Sequence, residues 1–416
     1  MLLLFVLTRF QLAGGLGNTV EWFDFAVYGY FASDIGSQFF PRDSPSLQLI
    51  SAFGVFAVGY LMRPIGGLIL APIGDLIGRR SLLLTSVAIM SACSLGIALL
   101  PPAADWGIAS AIILVLLRML QGLSVGGEFT GSVVALVEDV PAGRRGWSGS
   151  ISGAGAILGF VGGSSAAAMI HWLLDPGAVQ QWGWRIPFVF GAALGLLALA
   201  LRTHFVDEEN NAGSGTLKSH YQDLVGHLPA MLRAMGAVAL STVTFYLVTV
   251  FDVEILASRM PEKAAVLNAI TTVNQAIGIG FILLGGVLAD QHRKAALAQK
   301  LNLILAAVVV PGMLLAGSGS LVGFAIGQLM VLVPMMLYLG VYPSLLPYLF
   351  PSKIRCSGFS LSYSLSVAIV GGTAPMAATW LLQEQGWSQG PAWYCVIWAI
   401  PALLALRHIG SYCVDE

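Results

Sequence analysis

Apolar runs long enough to cross a lipid bilayer recur along the entire chain. A helix needs about 20 apolar residues to cross roughly 30 Å of hydrocarbon. Hydrophobic residues make up 57% of the 416 residues, and the mean hydropathy is +0.82. These values predict an all-α membrane protein. We expect twelve transmembrane helices, at residues 12–40, 47–72, 81–101, 107–138, 147–173, 185–204, 230–256, 264–289, 300–318, 321–350, 355–384 and 391–410.

Basic residues concentrate in alternate loops, although the formal net charge is only −1. The loops after even-numbered spans hold most of the lysines and arginines, whereas the other loops hold mainly Arg42, Arg259 and Lys263. The positive-inside rule therefore predicts that both termini are cytoplasmic. We expect a multi-pass protein of the cytoplasmic (inner) membrane of a bacterium. The four cysteines show no metal-ligand spacing, so no metal site is expected.

Related loop segments divide the chain into two halves. Asp75 is separated from Asp290, and Arg145 from Arg355, by nearly the same number of residues, close to half of the chain. Matching loops on one side predict two parallel six-helix bundles related by pseudo-symmetry. The expected units are an N-terminal bundle, a polar cytoplasmic linker and a C-terminal bundle, at residues 1–204, 205–229 and 230–416.

Two acidic residues lie inside the first span, in the stretch "GNTVEWFDFAVYG". Glu21 and Asp24 are three residues apart and therefore share one helix face, which Tyr28 continues. A charged side chain at mid-depth in lipid costs at least about 2.5–3.5 kcal/mol, so both carboxylates should face the bundle interior. Arg63 in the second span and Arg118 in the fourth are suitable partners.

These four charges have two possible roles. They form either a static ion-pair cluster that orients helices, or a working site. In a working site, Glu21 and Asp24 would be the proton-coupling groups, because burial and a neighbouring guanidinium act in opposite directions on the pKa of a carboxylate. Arg118 and Arg63 would bind a substrate carboxylate, since a guanidinium stays charged and offers two parallel donors. Which carboxylate takes the proton is left open.

Other polar residues complete the predicted site. Glu128 in the fourth span is a proton relay, part of a closing contact or, as the adjoining glycines favour, a structural residue of a tightly packed helix. Asp252 and Glu254 are expected to be solvated near the outer end of the seventh span. Neutral groups in spans are more often packing groups than ligands. The candidate substrate-binding residues, besides the two arginines, are Tyr28, Gln121, Asn274, Tyr338 and Tyr363.

Several stretches resemble the metabolite:proton symporter family of the major facilitator superfamily. They include "GDLIGRR", "GNTVEWFDFAVYG", "GYLMRPIGG", "RMLQGLSVGGEFTGS", "WGWRIPF" and "GGTAPMAATWL", and they cover nearly the whole chain. The resemblance implies the major facilitator fold and proton-coupled symport by alternating access. Family members are similar in sequence yet carry proline and betaine, α-ketoglutarate, shikimate or citrate.

The resemblance also implies a conformational latch in the basic loops. There a carboxylate caps a neighbouring helix, and arginines pair with acids such as Glu138. Tyr348 stands where the family usually has Glu. The alternative is that the arginines are only orientation signals. The candidate gating residues are Asp75, Arg79, Arg80, Glu128, Glu138, Arg144, Arg145, Asp290 and Arg355.

The charge balance inside the spans bears on the substrate. Two arginines face three acids, so the cavity has no surplus of positive charge, and a proline- or betaine-type zwitterion or a monocarboxylate is favoured. The alternatives are a dicarboxylate or tricarboxylate:proton symporter, a proton-antiport exporter, an uncoupled facilitator or, less favoured, a non-transporting membrane sensor. The chain lacks the common catalytic motifs, so no enzyme activity is expected. The expected partners are a small organic solute, protons and the lipid bilayer, without cofactor or nucleic acid, for a monomeric protein.

Overall fold

The structure is a computed structural model. It describes the backbone of residues 9–40, 44–77, 79–138, 140–205 and 217–413. Side chains are described for residue 11 and for residues 15–40, 44–69, 85–138, 140–197 and 222–413. Helices dominate all of these ranges, which confirms the predicted all-α fold class.

Twelve long helices follow one another within the described residues, as the apolar runs predict. We number them α1 to α12, and shorter helices are named by their residues. They are α1 Arg9–Tyr30, α2 Pro45–Ile77, α3 Arg79–Leu99, α4 Ile108–Glu138, α5 Arg145–Leu173, α6 Ile186–Phe205, α7 Leu228–Arg259, α8 Ala264–Gln291, α9 Lys294–Ala316, α10 Leu321–Val341, α11 Ser352–Glu384 and α12 Gly390–Leu406.

Two predicted spans are longer than the helices they contain. The first helix ends at Tyr30, and after a turn the separate helix Ala32–Phe39 begins. The tenth helix ends at Val341 and is followed by the short turns Tyr342–Ser344 and Leu346–Leu349. The second ending has a clear cause, because the sequence there reads "YPSLLPYL", and its prolines have no backbone N–H with which to continue a helix.

Three of the long helices are interrupted near their middle. Helix α4 breaks at residues 125–127, where Gly127 has a φ of 95°, a conformation that favours glycine. Helix α7 contains a π-helical turn at Leu247–Phe251, and α11 contains one at Val367–Gly371. A π-helical turn widens a helix locally and is frequent at functional sites. All three helices contribute side chains to the site described below.

Glycines allow unusually close helix crossings. A Cβ added to Gly122 of α4 would overlap the backbone oxygen of Gly59 in α2. Likewise, a Cβ on Gly155 of α5 would overlap the backbone oxygen of Gly15 in α1. Small residues have this role in membrane bundles, because the packing of backbone against backbone replaces the missing hydrophobic driving force. The crossing of α2 and α4 brings their arginines toward α1.

Some predictions about the loops change or lie outside the description. Asp75 is predicted in a loop, but α2 continues to Ile77, so the backbone of Asp75 is helical. Arg79 and Arg80 form the first turn of α3 rather than a loop. The side chains of these three gating candidates lie outside the described residues. The division into two bundles stays a prediction; part of its linker forms the helix Leu217–Gly226.

Candidate functional site

A buried ion pair joins α1 to α2. Arg63 donates a hydrogen bond through Nη2 to Oε1 of Glu21, and each residue is only 3% exposed. The guanidinium carbon of Arg63 also lies 4.7 Å from the ring centroid of Trp22 and 5.2 Å from that of Phe25. A cation is attracted to the face of an aromatic ring, so these rings and Glu21 together compensate the burial of Arg63.

The second carboxylate of α1 reaches its arginine through two neutral side chains. Ser94 donates to Oδ2 of Asp24 at 2.5 Å, and Gln121 donates through Nε2 to the Ser94 hydroxyl at 2.8 Å. Arg118 in turn donates through Nη1 to Oε1 of Gln121 at 2.9 Å. All four side chains are buried. The structure therefore connects Asp24 to Arg118, the partner that the sequence suggested, only through Ser94 and Gln121 and not by a direct ion pair.

This network leaves hydrogen-bonding atoms unused. Among the described residues, Oδ1 of Asp24 and both Nε and Nη2 of Arg118 are buried without a hydrogen-bond partner. The Arg118 guanidinium carbon lies 4.4 Å from the ring centroid of Tyr28 and 4.8 Å from that of Phe25, so two rings cover it. Buried polar atoms without partners cost free energy, and in native proteins they frequently mark a site with a further role.

Sequence reasoning missed Ser94. Helix α3 carries no charged residue in its apolar stretch, and a single serine in a membrane helix is too common to single out. The available signal was weak: Ser86, Ser91 and Ser94 are polar residues on an otherwise apolar helix. Their closeness to Asp24 depends on how α3 packs against α4 and α6, which a linear pattern does not specify.

A cavity of about 50 Å³ lies between the two halves of the chain. Seven of the fifteen described residues that line it are aromatic, and none is charged. The hydroxyl residues Ser241 and Thr242 of α7 add polar groups. Its aromatic residues are Trp22, Phe129 and Phe160 from the first half, and Phe245, Tyr246, Tyr342 and Tyr363 from the second.

The predicted binding residues divide between this cavity and helix packing. Tyr363 lines the cavity, and Arg63 lies directly behind the Trp22 ring. Outside it, Asn274 donates to Oε1 of Gln328 at 2.8 Å, and Tyr338 donates to the backbone oxygen of Ala237 at 2.8 Å. Tyr28 donates to the backbone oxygen of Ala52 at 3.2 Å, while Arg118 and Gln121 belong to the Asp24 network.

Contacts between the halves close the molecule on the side that carries the basic loops, here called the basic side. Glu138 of α4 accepts from Arg355 of α11 at 2.7 Å. The centroid of the Tyr348 ring lies 4.3 Å from the guanidinium carbon of Arg145 and 4.5 Å from that of Arg355. Tyr348 thus makes a cation–π contact with each of these arginines. Arg144 is exposed to solvent.

A carboxylate caps α5 on the same side. Asp290, at the end of α8, accepts hydrogen bonds from the backbone N–H of Gly146 at 2.6 Å and of Trp147 at 2.8 Å. These N–H groups belong to the first turn of α5, which has no acceptors within its own helix and where the helix dipole is positive. The contact joins a first-half helix to a second-half helix. Glycine at 146 is necessary because a Cβ there would overlap the backbone oxygen of Gly286.

The halves also meet on the opposite side of the molecule. Glu254 accepts from the backbone N–H of Ser33 at 2.6 Å, and Gln275 donates to the Tyr30 hydroxyl at 2.8 Å. The expectation that Asp252 and Glu254 are solvated is wrong, because both are buried, at 8% and 4% exposure. The short helix after α1 folds over the end of α7 and covers Glu254, which a span map cannot show. Contacts between the halves therefore lie on both sides of the aromatic cavity.

Comparison with known proteins identifies the family. The profile described as "Sugar (and other) transporter" matches residues 12–209. A proline/betaine transporter from Salmonella typhimurium is 34% identical over 410 residues, which is 94% of this chain and 81% of that protein. An ectoine/proline transporter from Corynebacterium glutamicum is 33% identical over 413 residues, covering 94% and 81% of the two chains. The chain belongs to the metabolite:proton symporter family of the major facilitator superfamily.

Solved structures support this assignment at the level of the fold. A crystal structure of a D-xylose-proton symporter superposes with a TM-score of 0.75, covering 97% of each chain at 18% sequence identity. At that level of identity the similarity shows the fold alone. It confirms that the twelve helices of this transporter adopt the arrangement of the major facilitator superfamily.

The pairing of Glu21 with Arg63 predicts strong coupling between their substitutions. Glu21→Leu or Arg63→Met alone should destabilise the protein by about 3–5 kcal/mol, because each leaves an uncompensated buried charge. The double variant should be more stable than either single variant. Thermal unfolding in detergent measures all four proteins. Strictly additive losses would show that the two side chains do not depend on each other.

Proposed function

We propose that this transporter imports a small zwitterion of the proline or betaine type together with a proton. The aromatic cavity is the observation that carries the proposal. The relatives named above are proline/betaine and ectoine/proline transporters. Their printed substrates combine a carboxylate with a positively charged nitrogen, and the cavity and the charges behind it match both parts.

The cationic part of such a solute suits the aromatic wall. Rings of Trp22, Phe160, Tyr246 and other residues surround the cavity, and quaternary ammonium groups bind to such rings through cation–π attraction. The hydroxyl groups of Ser241 and Thr242 both donate to the backbone oxygen of Val238, and rotation of either would let it donate to the carboxylate instead. The positive charge of Arg63 lies one ring away, behind Trp22. No metal or organic cofactor is needed for this recognition.

The charge distribution disfavours the alternative of a dicarboxylate or tricarboxylate substrate. Such an anion needs a surplus of positive charge, but no charged side chain lines the described cavity wall. Arg63 is already paired with Glu21, and two aromatic rings cover Arg118. An uncoupled facilitator or a proton-antiport exporter would not need a different cavity, so uptake measurements must separate these from symport.

We assign proton coupling to Asp24 rather than to Glu21. Glu21 is held by a direct ion pair, so adding a proton would leave Arg63 with an uncompensated buried charge. Asp24 has only a neutral donor, Ser94, and one oxygen without a hydrogen-bond partner in the described part of the chain. It can therefore gain or lose a proton without breaking an ion pair. Arg118 stabilises the deprotonated form through the network.

Alternating access follows from the contacts between the halves. Three contacts on the basic side would break when the cavity opens to that side. They are the Glu138–Arg355 ion pair, the cation–π contacts of Tyr348 and the hydrogen bonds from α5 to Asp290. On the other side, Glu254 and Gln275 hold the closing contacts. The positive-inside rule places the basic side and both termini in the cytoplasm of a bacterium. We expect a monomer to be sufficient, since the cavity lies within one chain.

Uptake into proteoliposomes tests proton coupling. Radiolabelled proline or glycine betaine should accumulate only with an inward proton gradient, and a protonophore should abolish the accumulation. Asp24→Asn should lose accumulation but keep solute exchange, because the cavity is unchanged. Asp105→Asn is the matched control at an exposed position. Gradient-independent uptake by the unmodified protein would refute symport, and normal accumulation by Asp24→Asn would refute the assignment.

Replacing one ring of the cavity tests the substrate class. Phe160→Leu should weaken glycine betaine binding by roughly 2- to 30-fold, the equivalent of about 0.5–2 kcal/mol of cation–π attraction. Phe190→Leu is the control, because that ring is 54% exposed and lies away from the cavity. Competition binding in detergent measures both variants. Equal affinity of the two variants would argue against an aromatic site for the ammonium group.

The gate on the basic side is tested at Tyr348. In a protein whose native cysteines are replaced, Ser241→Cys reports access to the cavity. Tyr348→Ala should increase its labelling by a membrane-impermeant thiol reagent from the basic side, because both arginines lose their ring contact. Tyr348→Phe keeps the ring and should behave like the unmodified protein. If Ala and Phe have the same effect, the cation–π contacts have no part in closing this side.

A further inference from the structure

A second, smaller cavity lies entirely within the first half of the chain. Its volume is about 20 Å³, enough for one water molecule. Residues of α1, α3, α4 and α6 line it, and none of them also lines the aromatic cavity. Its acidic lining residues are Glu21, Asp24 and Glu128. The predicted proton-coupling carboxylates therefore face a space that is distinct from the proposed solute site.

Helix α1 separates the two cavities. Gly17, Val20, Glu21 and Asp24 line the small one, and their spacing of three and four residues places them on one helix face. Trp22 lies on another face and lines the aromatic cavity. A single helix thus presents an aromatic ring to one space and two carboxylates to the other.

The small cavity extends from Asp24 toward the basic side. Gly17 is seven residues nearer than Asp24 to the start of α1, which corresponds to about 10 Å along the helix. Asn18 of α1 donates to the hydroxyl of Ser132 in α4 at 3.0 Å, so these two residues lie at one level. From that level Glu128 lies four residues, or about 6 Å, away from the basic side. Asp24 lies six residues, or about 9 Å, away from it, so Glu128 is the nearer of the two to the basic side.

Glycines of α6 keep the space beside Asp24 open. A Cβ added to Gly191 would overlap Oδ1 of Asp24, and one added to Gly195 would overlap the hydroxyl of Ser91. The Asp24 oxygen that faces Gly191 is the one without a hydrogen-bond partner among the described residues. The wall also carries the hydroxyls of Ser86 and Ser91, which donate to backbone oxygens and keep lone pairs available for a water.

We propose that Glu128 relays the proton of Asp24 to the basic side through this cavity, so that proton and solute leave by separate routes. The inference rests on the proposed symport. Asp24 gives its proton to a cavity water, that water passes a proton to the Glu128 carboxylate, and Glu128, which is only partly buried, releases it to solvent. The other charges beside this route are Glu21, which is paired with Arg63, and Arg118 behind Gln121. Helices α3 and α6 add no titratable lining residue in their described parts.

The relay is tested by separating proton movement from solute exchange. Proteoliposomes with an entrapped pH-sensitive dye receive glycine betaine under an inward proton gradient. Glu128→Gln should slow solute-dependent proton entry and net uptake at least about tenfold, as expected for the loss of a proton-transfer group. Counterflow of labelled glycine betaine should persist, because exchange does not require proton release. Glu128→Asp should restore most of the proton entry.

A second variant blocks the cavity without removing a charge. Val20→Leu adds one methylene group to a wall of a cavity of about 20 Å³ and should also slow proton entry while sparing counterflow. Glu262→Gln removes an exposed carboxylate and is the matched control. Normal proton entry in both Glu128→Gln and Val20→Leu overturns the relay. Loss of counterflow in a folded Glu128→Gln protein also overturns it, in favour of a structural role. Gradient-independent uptake by the unmodified protein refutes symport itself.

Discussion

Burial of charge within an apolar helical bundle is the constraint on which the rest of this structure depends. Arg63 and Arg118 stay charged in any membrane environment, so each must have compensating groups nearby. Glu21 supplies a carboxylate to Arg63, and aromatic rings cover both guanidinium groups. This requirement fixes which faces of α1, α2 and α4 meet. Close approach of α2 and α4 is possible because glycines such as Gly122 leave room for backbone contact.

The two carboxylates of α1 have different surroundings, which favour different roles for them. Glu21 is in a direct ion pair, whereas Asp24 is connected to Arg118 only through Ser94 and Gln121. Because only neutral side chains lie between them, Arg118 favours the charged form of Asp24 but does not require it. The same helix borders the aromatic cavity through Trp22. Movement of α1 would therefore affect the proposed solute site and the proposed proton site together, which is what coupled transport requires.

On the basic side, residues at matching positions of the two halves make different kinds of contact. Glu138 and Tyr348 lie at matching places, each seven residues before an arginine of the repeated loop. Glu138 forms an ion pair with Arg355 across the halves, whereas the ring of Tyr348 makes cation–π contacts with both Arg145 and Arg355. Near the membrane surface an ion pair is weakened by water and salt, whereas a ring contact also buries apolar area. The closing contacts therefore combine two kinds of interaction with different sensitivity to salt.

The sequence by itself determined the membrane class, the twelve helices and the inward facing of the in-span charges, because apolar length and the cost of burying charge are properties of local sequence. It identified Glu21, Asp24, Arg63 and Arg118, and the motifs indicated the family. Only the tertiary structure decided which carboxylate meets which arginine. Successive residues of a helix point about 100° apart, so a small rotation of one helix gives each side chain a different partner. The tertiary structure also revealed Ser94, the aromatic cavity, the burial of Glu254 and the water-sized space beside Glu128. Each of these is formed by helices far apart in the sequence, and their relative placement is set by packing rather than by any single segment.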